Sequence, residues 1–405
     1  MKKILMTAYD INPYKGSEAG TGWNFVIQGA RFNKIIAITR ENNQSDIEKY
    51  IIEHNIDLSN IMFYYYDLPY YLRFWKKGAR GSSIYFYLWQ MFIPIFIKSN
   101  KIEFDIAHNV NFHADSFPTF LWVFHKPVIW GPINHNEKIP KQYILSKREY
   151  IKDRIKWVIK NFNWRLDPFM QLAKWKVNLI IGGNSSIQLR LDLDNRKFLH
   201  LSQVGAHAHT KYVKPQKLEN EFNFLVVGRF LTIKSFDIAV KAFDQFYNKL
   251  SSFEKNNIKL RIIGQGPLEK SLRSIIGKLD SKSSIQLEGW VNKDEIDNIY
   301  RDSSVFVFPS HEGAGMVTIE ALSHGLPVIC FDNYGAGEFV NGDCAIKIEY
   351  STYLNSVQSF ANAFLKLYSN KDLYSNMSKS AVAHFENSYS WEQKGLELER
   401  IYSLY

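Results

Sequence analysis

The segment 309–322 has the residue types of an anion-binding loop followed by a helix. It reads PSHEGAGMVTIEAL and comes directly after a short apolar run. This order predicts that a strand ends, a glycine-containing loop turns, and a helix begins near Gly315. The free backbone N–H groups of a first helical turn, together with the positive end of the helix dipole, attract anions. The segment therefore predicts an anion-binding site at the start of the helix.

Two glutamates frame this site and are suited to hydroxyl groups rather than to phosphate. Glu312 precedes the predicted helix and Glu320 lies within it. Eight residues at 100° each return to within about 80° of the starting face, so both can border one groove. Carboxylates accept hydrogen bonds from sugar hydroxyls, one on each side of a bound diphosphate. Hexose, diphosphate and ribose are the parts of a nucleotide sugar, which the spacing therefore predicts as the ligand.

Two basic residues would neutralise the diphosphate. Arg229 and Lys234 both follow a predicted strand over 222–227. Charge-assisted hydrogen bonds to phosphate contribute about 1.5–3 kcal/mol each. Taken alone, Lys234 also fits a surface lysine and Glu320 a charge on a helix face, so the prediction rests on the combination.

These residues need a scaffold of strands and helices, and the chain shows the pattern of one. Short apolar runs alternate with helical stretches, which is typical of parallel βαβ units. The predicted strands are 4–8, 35–39, 61–66, 106–108, 128–130, 179–181, 222–227, 260–263, 285–287, 305–308 and 326–331. A glycine-rich turn with Gly16, Gly20 and Gly22 follows the first strand, and a helix is predicted over 23–30. Ligands of such sheets bind at the carboxyl ends of the strands.

Two domains and a terminal helix are predicted. The first is a Rossmann-like domain over 1–210. The second is a Rossmann-like domain over 211–385. The last stretch, 386–405, is predicted to be a helix that returns to the first domain. The polar stretch 207–221 contains Pro215 and is predicted to be a linker.

Composition is that of a globular chain. The 405 residues are 46% hydrophobic and 22% charged, which excludes disordered and collagen-like classes. The two cysteines, Cys330 and Cys344, are too few for a disulfide scaffold or a zinc site, so we expect reduced thiols, no metal and a cytoplasmic location. The uncharged stretch 81–97 contains Gln90 and Pro94 and is shorter than the about 20 residues of a membrane span. It is predicted to be core, with an interfacial position as the alternative.

Positive charge is concentrated in the segment 141–176. It holds ten basic and three acidic residues, with seven aromatic residues interleaved. Basic and aromatic residues together attract anionic membrane surfaces and nucleic acids. Because no nucleic-acid motif is present, we expect no nucleic-acid partner and a contact of 70–98 and 141–176 with the inner leaflet of the cell membrane. The alternative is a solvated helix face with buried rings.

The motifs of the second half resemble, in the right order, those of retaining glycosyltransferase family 4. They are Val227-Gly228-Arg229 with Lys234, Gly264 and Gly266-Pro267, Gly289-Trp290-Val291, Pro309-Ser310 with Glu312 and Glu320, and Gly325-Leu326-Pro327-Val328. In the first half, 16–24, 88–90 and 130–132 resemble one bacterial branch of that family. The resemblance implies an α/β chain of the GT-B fold, with two Rossmann-like doubly wound parallel-sheet domains facing a central cleft. It also implies that the domain over 1–210 binds the acceptor and the domain over 211–385 binds the nucleotide-sugar donor.

The resemblance also implies a role for each matching residue. Arg229 and Lys234 would hold the diphosphate, Glu312 would contact the donor sugar, and Glu320 would bind the ribose hydroxyls. The other implied donor-binding residues are Gly16, Gly20, Gly264, Gly266, Gly315, Met316 and Val317, with Trp290 and Val291 near the base. A first-domain histidine would lie near the reacting centre. His108 matches the strand-then-histidine pattern slightly better than His113, and a purely structural histidine is the alternative for both.

The implied reaction is metal-independent transfer of a sugar, with retained anomeric configuration, from a UDP or GDP sugar. The acceptor would be a hydroxyl of a glycan or lipid-linked glycan in bacterial polysaccharide assembly. The donor is a substrate, and no cofactor is expected. The chain departs from the family at Ser235, at Ala314 and at 133–136, where the family often has glycine, phenylalanine and glycines. An epimerase or sugar phosphorylase of the same fold is the main alternative. A dinucleotide oxidoreductase is disfavoured, because its glycine motif would need a third glycine after Gly266.

Overall fold

The computed structural model describes residues 1–78, 80–110, 114–207 and 221–405. The chain divides into two compact units, which do not follow the order of the sequence strictly. The first unit comprises Met1–His135, Lys156–Gly205 and Trp391–Tyr405, and the second comprises Asn136–Ile155 and Ala206–Ser390.

The described residues form thirteen strands. They are β1 (Lys3–Thr7), β2 (Lys34–Thr39), β3 (Ile61–Tyr65), β4 (Ile106–Asn109), β5 (Val128–Ile133), β6 (Leu179–Gly182), β7 (Phe198–His200), β8 (Phe222–Val227), β9 (Ile258–Ile263), β10 (Ile285–Glu288), β11 (Val305–Phe308), β12 (Val328–Phe331) and β13 (Ala345–Ile348).

They also form sixteen α-helices. They are α1 (Ser17–Ala30), α2 (Gln44–His54), α3 (Tyr70–Arg73), α4 (Ser82–Ser99), α5 (Lys147–Leu166), α6 (Pro168–Lys176), α7 (Ser186–Leu191), α8 (Phe236–Tyr247), α9 (Ser252–Lys255), α10 (Glu269–Ile276), α11 (Lys293–Arg301), α12 (Met316–Ser323), α13 (Ala336–Phe339), α14 (Tyr353–Ser369), α15 (Lys371–Ser388) and α16 (Trp391–Ser403).

The first unit is a parallel sheet covered on both faces. Its seven strands have the order β3-β2-β1-β4-β5-β6-β7. Side chains of a strand alternate between the two faces, and in β1 both faces are buried. Ile4 and Met6 belong to one hydrophobic cluster and Leu5 to another. The strand order reverses between β1 and β4, which makes the carboxyl ends of these strands the expected ligand site.

The second unit repeats this architecture with six parallel strands, in the order β10-β9-β8-β11-β12-β13. The chain runs outward from β8 to β10 and then returns to place β11 beside β8. Its core is rich in aromatic rings: Phe224 of β8 packs against Phe243 and Phe246 of α8 and against Phe364 of α14. Two doubly wound parallel sheets confirm the predicted fold class.

The predicted glycine turn after β1 is wrong in part, because α1 begins at Ser17 and includes Gly20 and Gly22. A Cβ on Gly20 would lie 2.5 Å from the Lys15 carbonyl oxygen. The glycine is therefore explained by a close approach of the helix to the backbone of the loop before it. The sequence analysis also missed two short edge strands, β7 and β13, whose three and four residues give little periodic signal.

The stretch 81–97 forms most of α4 and lies mainly in the core. Tyr85, Phe86, Trp89 and Ile93 are buried in the hydrophobic cluster that covers one face of the first sheet. The core interpretation of this stretch is therefore correct, and the interfacial alternative is not supported for these side chains. Within the described ranges, no helix is both long enough and apolar enough to cross a membrane.

Candidate functional site

The strongest candidate site lies where the second sheet reverses its strand order. Lys234 ends a short 3-10 turn after β8, and Glu312 lies in the loop after β11, the neighbouring strand. The Lys234 Nζ donates a hydrogen bond to Glu312 Oε2 at 2.5 Å, with the side chains 9% and 24% exposed. Two residues 78 positions apart, both predicted to bind the donor, are thus brought into direct contact.

The ammonium of Lys234 keeps the capacity to bind a further anion. An ammonium has three N–H donors, and Glu312 accepts one of them. Gly228 has a φ of +147°, and a Cβ built on it would come within 3.5 Å of the Lys234 Nζ. The glycine directly after β8 is therefore explained by a backbone conformation that other residues rarely adopt, which brings the turn close to the ammonium.

Arg229 adds a second positive charge to the same loop. It is exposed and comes directly after Gly228. Within the described part of the chain, its guanidinium has no hydrogen-bond or ion-pair partner. A phosphate could therefore bind it without first breaking an internal ion pair.

The predicted glycines after β9 have a structural explanation. Gly264 has a φ of +147°, and a Cβ on it would collide with the carbonyl oxygen of Gly228. A Cβ on Gly266 would lie 2.7 Å from the carbonyl oxygen of Phe230. Both glycines thus let the loop after β9 contact the loop after β8. Their predicted contact with the donor stays a prediction.

The loop that carries Glu312 is fixed by hydrogen bonds from residues that the sequence analysis missed. The Gly313 N–H donates to Asn136 Oδ1 at 2.7 Å, and Asn333 Nδ2 donates to the Ser310 carbonyl at 2.8 Å. Gly335 passes directly beneath the Glu312 carbonyl, where a Cβ would collide. A signal was present for Asn333 and Gly335, because they follow a strand end like the glycine turns after β8 and β9.

The helix α12 begins at Met316, close to the predicted position. Gly315 precedes it and provides no side-chain cap, so the first-turn amides of Met316 and Val317 are not covered by one. An exposed or ligand-facing helix start of this kind suits an anion. Trp290 is exposed and Val291 half-buried in the loop after β10, which β9 separates from β8.

Glu320 is oriented by a tyrosine that the sequence did not reveal. The buried hydroxyl of Tyr300, on α11, donates to Glu320 Oε2 at 3.1 Å. Burial, and next the charge of Glu320, raise the pKa of Tyr300 well above its usual value. The hydroxyl therefore remains a proton donor and can hold the carboxylate in place. A tyrosine within a helix is usually core, so the sequence carried no signal for this role.

Ser235, where the family often has glycine, is held in a glycine-like conformation by hydrogen bonds with neighbouring residues. Ser235 has a φ of +46°, a left-handed conformation that favours glycine. Its hydroxyl bonds the Thr232 carbonyl at 3.3 Å and His311 Nε2 at 3.0 Å. Burial lowers the pKa of His311 to about 3, so the ring is neutral at physiological pH. These bonds give the serine a partial compensation for its backbone strain.

His108 has a structural environment, which argues against its predicted place at the reacting centre. The ring is fully buried in the first unit. Its Nε2 lies 2.7 Å from the Gly131 carbonyl oxygen, and its Nδ1 lies 2.7 Å from the Tyr402 hydroxyl. A proton on Nε2 satisfies both bonds, so neither nitrogen is left for a sugar. His113, the alternative, lies outside the described residues.

We expect His108 to make the first unit sensitive to acid. Burial lowers its pKa from 6.5 to about 4, so below pH 6.5 the unfolded chain takes up a proton that the folded chain does not. Stability is complete above pH 6.5 and falls by about 3 kcal/mol as the pH approaches 4. Urea unfolding at pH 7, 6 and 5 checks this by tryptophan fluorescence, since nine of the ten tryptophans lie in the first unit.

The variant His108→Gln should be less stable at pH 7 and show a shallower pH dependence over this window. His54→Gln is the matched control, because His54 is exposed on α2 and should leave the slope unchanged. An unchanged slope in His108→Gln would show that His108 does not control the acid sensitivity.

Within the departure at 133–136, His135 joins a buried ion network in the first unit. His135 Nδ1 lies 2.8 Å from Asp115 Oδ2, and Arg190 Nε donates to the same oxygen at 2.9 Å. Although burial opposes it, the hydrogen bond from His135 and the charges of Lys160 and Arg190 lower the pKa of Asp115. His135 is therefore tied into the scaffold at the carboxyl end of β5.

Gly16, which the sequence analysis assigned to donor binding, lies exposed in the first unit, directly before α1.

A polar cavity of about 400 Å³ also lies in the first unit, at the carboxyl ends of β2 and β3. It is lined by Arg40, Asn42, Asp67, Arg73, Lys76 and Tyr85. Guanidinium, carboxylate and amide groups beside an aromatic ring suit a ligand with several hydroxyls. The sequence analysis did not identify this cavity. In the described ranges, no three His, Cys, Asp or Glu side chains are grouped to hold a metal ion.

Comparison with known proteins identifies the second half of the chain. Residues 209–384 match the family model described as "Glycosyl transferases group 1". An uncharacterized glycosyltransferase of Methanocaldococcus jannaschii is 29% identical over 190 residues, which are 45% of this chain and 49% of the relative. The putative colanic acid biosynthesis glycosyltransferase WcaL of Escherichia coli K12 is 25% identical over 156 residues, 36% of this chain and 37% of the relative. In three such relatives, including the M. jannaschii protein, the chain spans about half of the relative's length.

Solved structures match over the whole chain. The superposition on the structure of Anabaena HepE in complex with UDP has a TM-score of 0.66 at 13% sequence identity. It covers 100% of this chain and 100% of HepE. A glycosyltransferase from Rickettsia africae has a TM-score of 0.63 at 16% identity, over 99% of this chain and 97% of that one. At such identities the likeness shows the fold, which is GT-B. Residues 209–384 thus match a group 1 glycosyltransferase domain, which confirms the coarser part of the family prediction, while family 4 and a retained configuration stay predictions.

Proposed function

We propose that this protein is a retaining glycosyltransferase of family 4 that transfers a sugar from a UDP or GDP sugar to a hydroxyl acceptor. The observation that carries the proposal is the contact of Lys234 with Glu312 at the carboxyl ends of β8 and β11. Doubly wound sheets bind nucleotides at this reversal of strand order. A cation for phosphate and a carboxylate for a sugar hydroxyl meet there.

The proposed mechanism uses the positive charge around the diphosphate. Lys234, Arg229 and the first-turn amides of α12 stabilise the leaving group as the bond between the sugar C1 and the phosphate oxygen breaks. The acceptor oxygen forms the new bond to C1 on the same face, and its proton passes to the departing phosphate oxygen. Glu312 accepts a hydrogen bond from the donor sugar. We propose that these groups serve without a metal ion.

The acceptor is proposed to be a glycan or lipid-linked glycan of a bacterial polysaccharide. Support comes from WcaL, which is described as a colanic acid biosynthesis glycosyltransferase. HepE, whose structure contains UDP, supports a nucleoside diphosphate as part of the donor. The polar cavity at the ends of β2 and β3 is the place we propose for acceptor hydroxyls. The reaction would take place in the cytoplasm.

The test is release of nucleoside diphosphate from a panel of UDP and GDP sugars, with and without glycan acceptors. We expect release from one donor, with the anomeric configuration of the product retained. Glu312→Ala should reduce turnover more than nucleotide binding, because its carboxylate contacts the sugar. Isomerised donor without an acceptor, or dependence on inorganic phosphate, would instead establish an epimerase or a phosphorylase. No release with any donor and no nucleotide binding would reject the proposal.

A further inference from the structure

The helix α5 carries a stripe of exposed aliphatic and aromatic side chains. Val158, Ile159, Phe162 and Leu166 are each between 56% and 64% exposed. At 100° per residue they lie within an arc of about 100° on one face of the helix. The four side chains, called the α5 stripe below, lie in the first unit and extend over about 12 Å.

The stripe is not needed to hold the helix on the protein. The opposite face of α5 carries Trp164, which is buried and donates its indole N–H to the Asp115 carbonyl at 2.8 Å. Lys160, also turned toward the protein, lies 3.6 Å from Asp115 Oδ1. The helix is thus already anchored by its inner face. A second apolar face of this length, exposed to water, is typical of an interaction surface.

Basic residues border the α5 stripe on both sides. On the helical wheel Arg165 lies about 20° before the arc and Lys156 lies about 60° beyond it. In the described part of the chain, neither of these two side chains has an ion-pair partner. Trp175 of α6, the next helix, is 67% exposed. An apolar face with unpaired cations at its edges complements a surface that is apolar inside and negatively charged outside.

We propose that the α5 stripe lies on an anionic lipid bilayer, with its apolar side chains among the acyl chains and its flanking cations against the phosphates. Helices with such a face lie in the plane of the membrane interface and bind anionic lipids most strongly. The sequence analysis expected a membrane contact of 70–98 and 141–176, and this proposal assigns that contact to one face of α5. The inference concerns location and does not depend on the transferase activity.

The test is co-sedimentation of the full chain with vesicles of phosphatidylcholine alone or mixed with phosphatidylglycerol. We expect binding to the mixed vesicles at low salt, weaker binding at high salt, and little binding to phosphatidylcholine alone. The double variant Ile159→Glu/Phe162→Glu should bind the mixed vesicles at least about tenfold more weakly, because two carboxylates would enter the apolar layer.

The matched control is Ile52→Glu/Phe253→Glu, which makes the same two changes at side chains 80% and 78% exposed on other helices. It changes the net charge equally and should keep most of the vesicle binding. Equal losses in both double variants would reduce the effect to net charge and overturn the proposal. Binding that is absent at low salt would also overturn it. So would concentration-dependent self-association that only the stripe variant abolishes, since the stripe would then join two copies of the chain.

Discussion

Replacing Lys234 by alanine is expected to lower the rate of nucleoside diphosphate release about 10²–10³-fold, the loss typical of removing one preorganised group that stabilises developing charge. The ammonium lies at the reversal of strand order and is nearly buried, so water would replace it poorly. Its removal also leaves the Glu312 carboxylate without its partner, beside the proposed diphosphate site. The measurement is the initial rate with the donor that the panel identifies, together with nucleotide affinity by calorimetry.

A double variant separates the two reasons for this loss. If Lys234 serves only to neutralise Glu312, Lys234→Ala/Glu312→Ala should recover much of the nucleoside diphosphate affinity that Lys234→Ala loses. If the ammonium binds the diphosphate, the double variant should bind it no more tightly than Lys234→Ala does. Lys278→Ala is the control, because Lys278 is an exposed lysine of the same unit and should be neutral. Activity close to wild type in Lys234→Ala would remove this residue from the proposed mechanism.

The scaffold was predictable because strand and helix periodicity is a local property of the chain. Buried runs such as those of β8 and β11 are almost entirely apolar, and Gly228 directly after β8 and Pro309 directly after β11 mark the strand ends. Edge strands such as β7 were not predictable, because three residues carry no period. The turn predicted at Gly20 failed for another reason. A glycine needed for close packing inside a helix cannot be told by composition from one that ends a turn.

The site was predictable to the extent that its residues follow strand ends. Lys234 and Glu312 were both identified in this way, although the direct contact between them was not. Residues that position others gave no such signal. Tyr300 acts on Glu320 from a neighbouring helix, and its type is equally common in the core. His108 shows the opposite error, since its position after a strand matched a family pattern while its burial gives it internal partners for both nitrogens.

Replacing Glu320 by alanine should weaken nucleoside diphosphate binding by about 1–3 kcal/mol, or roughly five- to 150-fold, the range for removing one partner of a buried hydrogen bond. We expect the loss because Glu320 is proposed to accept hydrogen bonds from the ribose hydroxyls. Inorganic pyrophosphate lacks a ribose, so its affinity should change little in the same variant. Calorimetric titration of the full chain with both ligands measures the two effects separately.

Tyr300→Phe tests how Glu320 is held. Phenylalanine keeps the ring and removes only the hydroxyl that donates to Glu320 Oε2. We expect a smaller loss of nucleoside diphosphate affinity, up to about tenfold, again without a change for pyrophosphate. Glu295→Ala, at an exposed glutamate of α11, is the control for removal of a nearby negative charge. If pyrophosphate and nucleoside diphosphate lose affinity equally in Glu320→Ala, the carboxylate shapes the phosphate site, and the ribose is bound elsewhere.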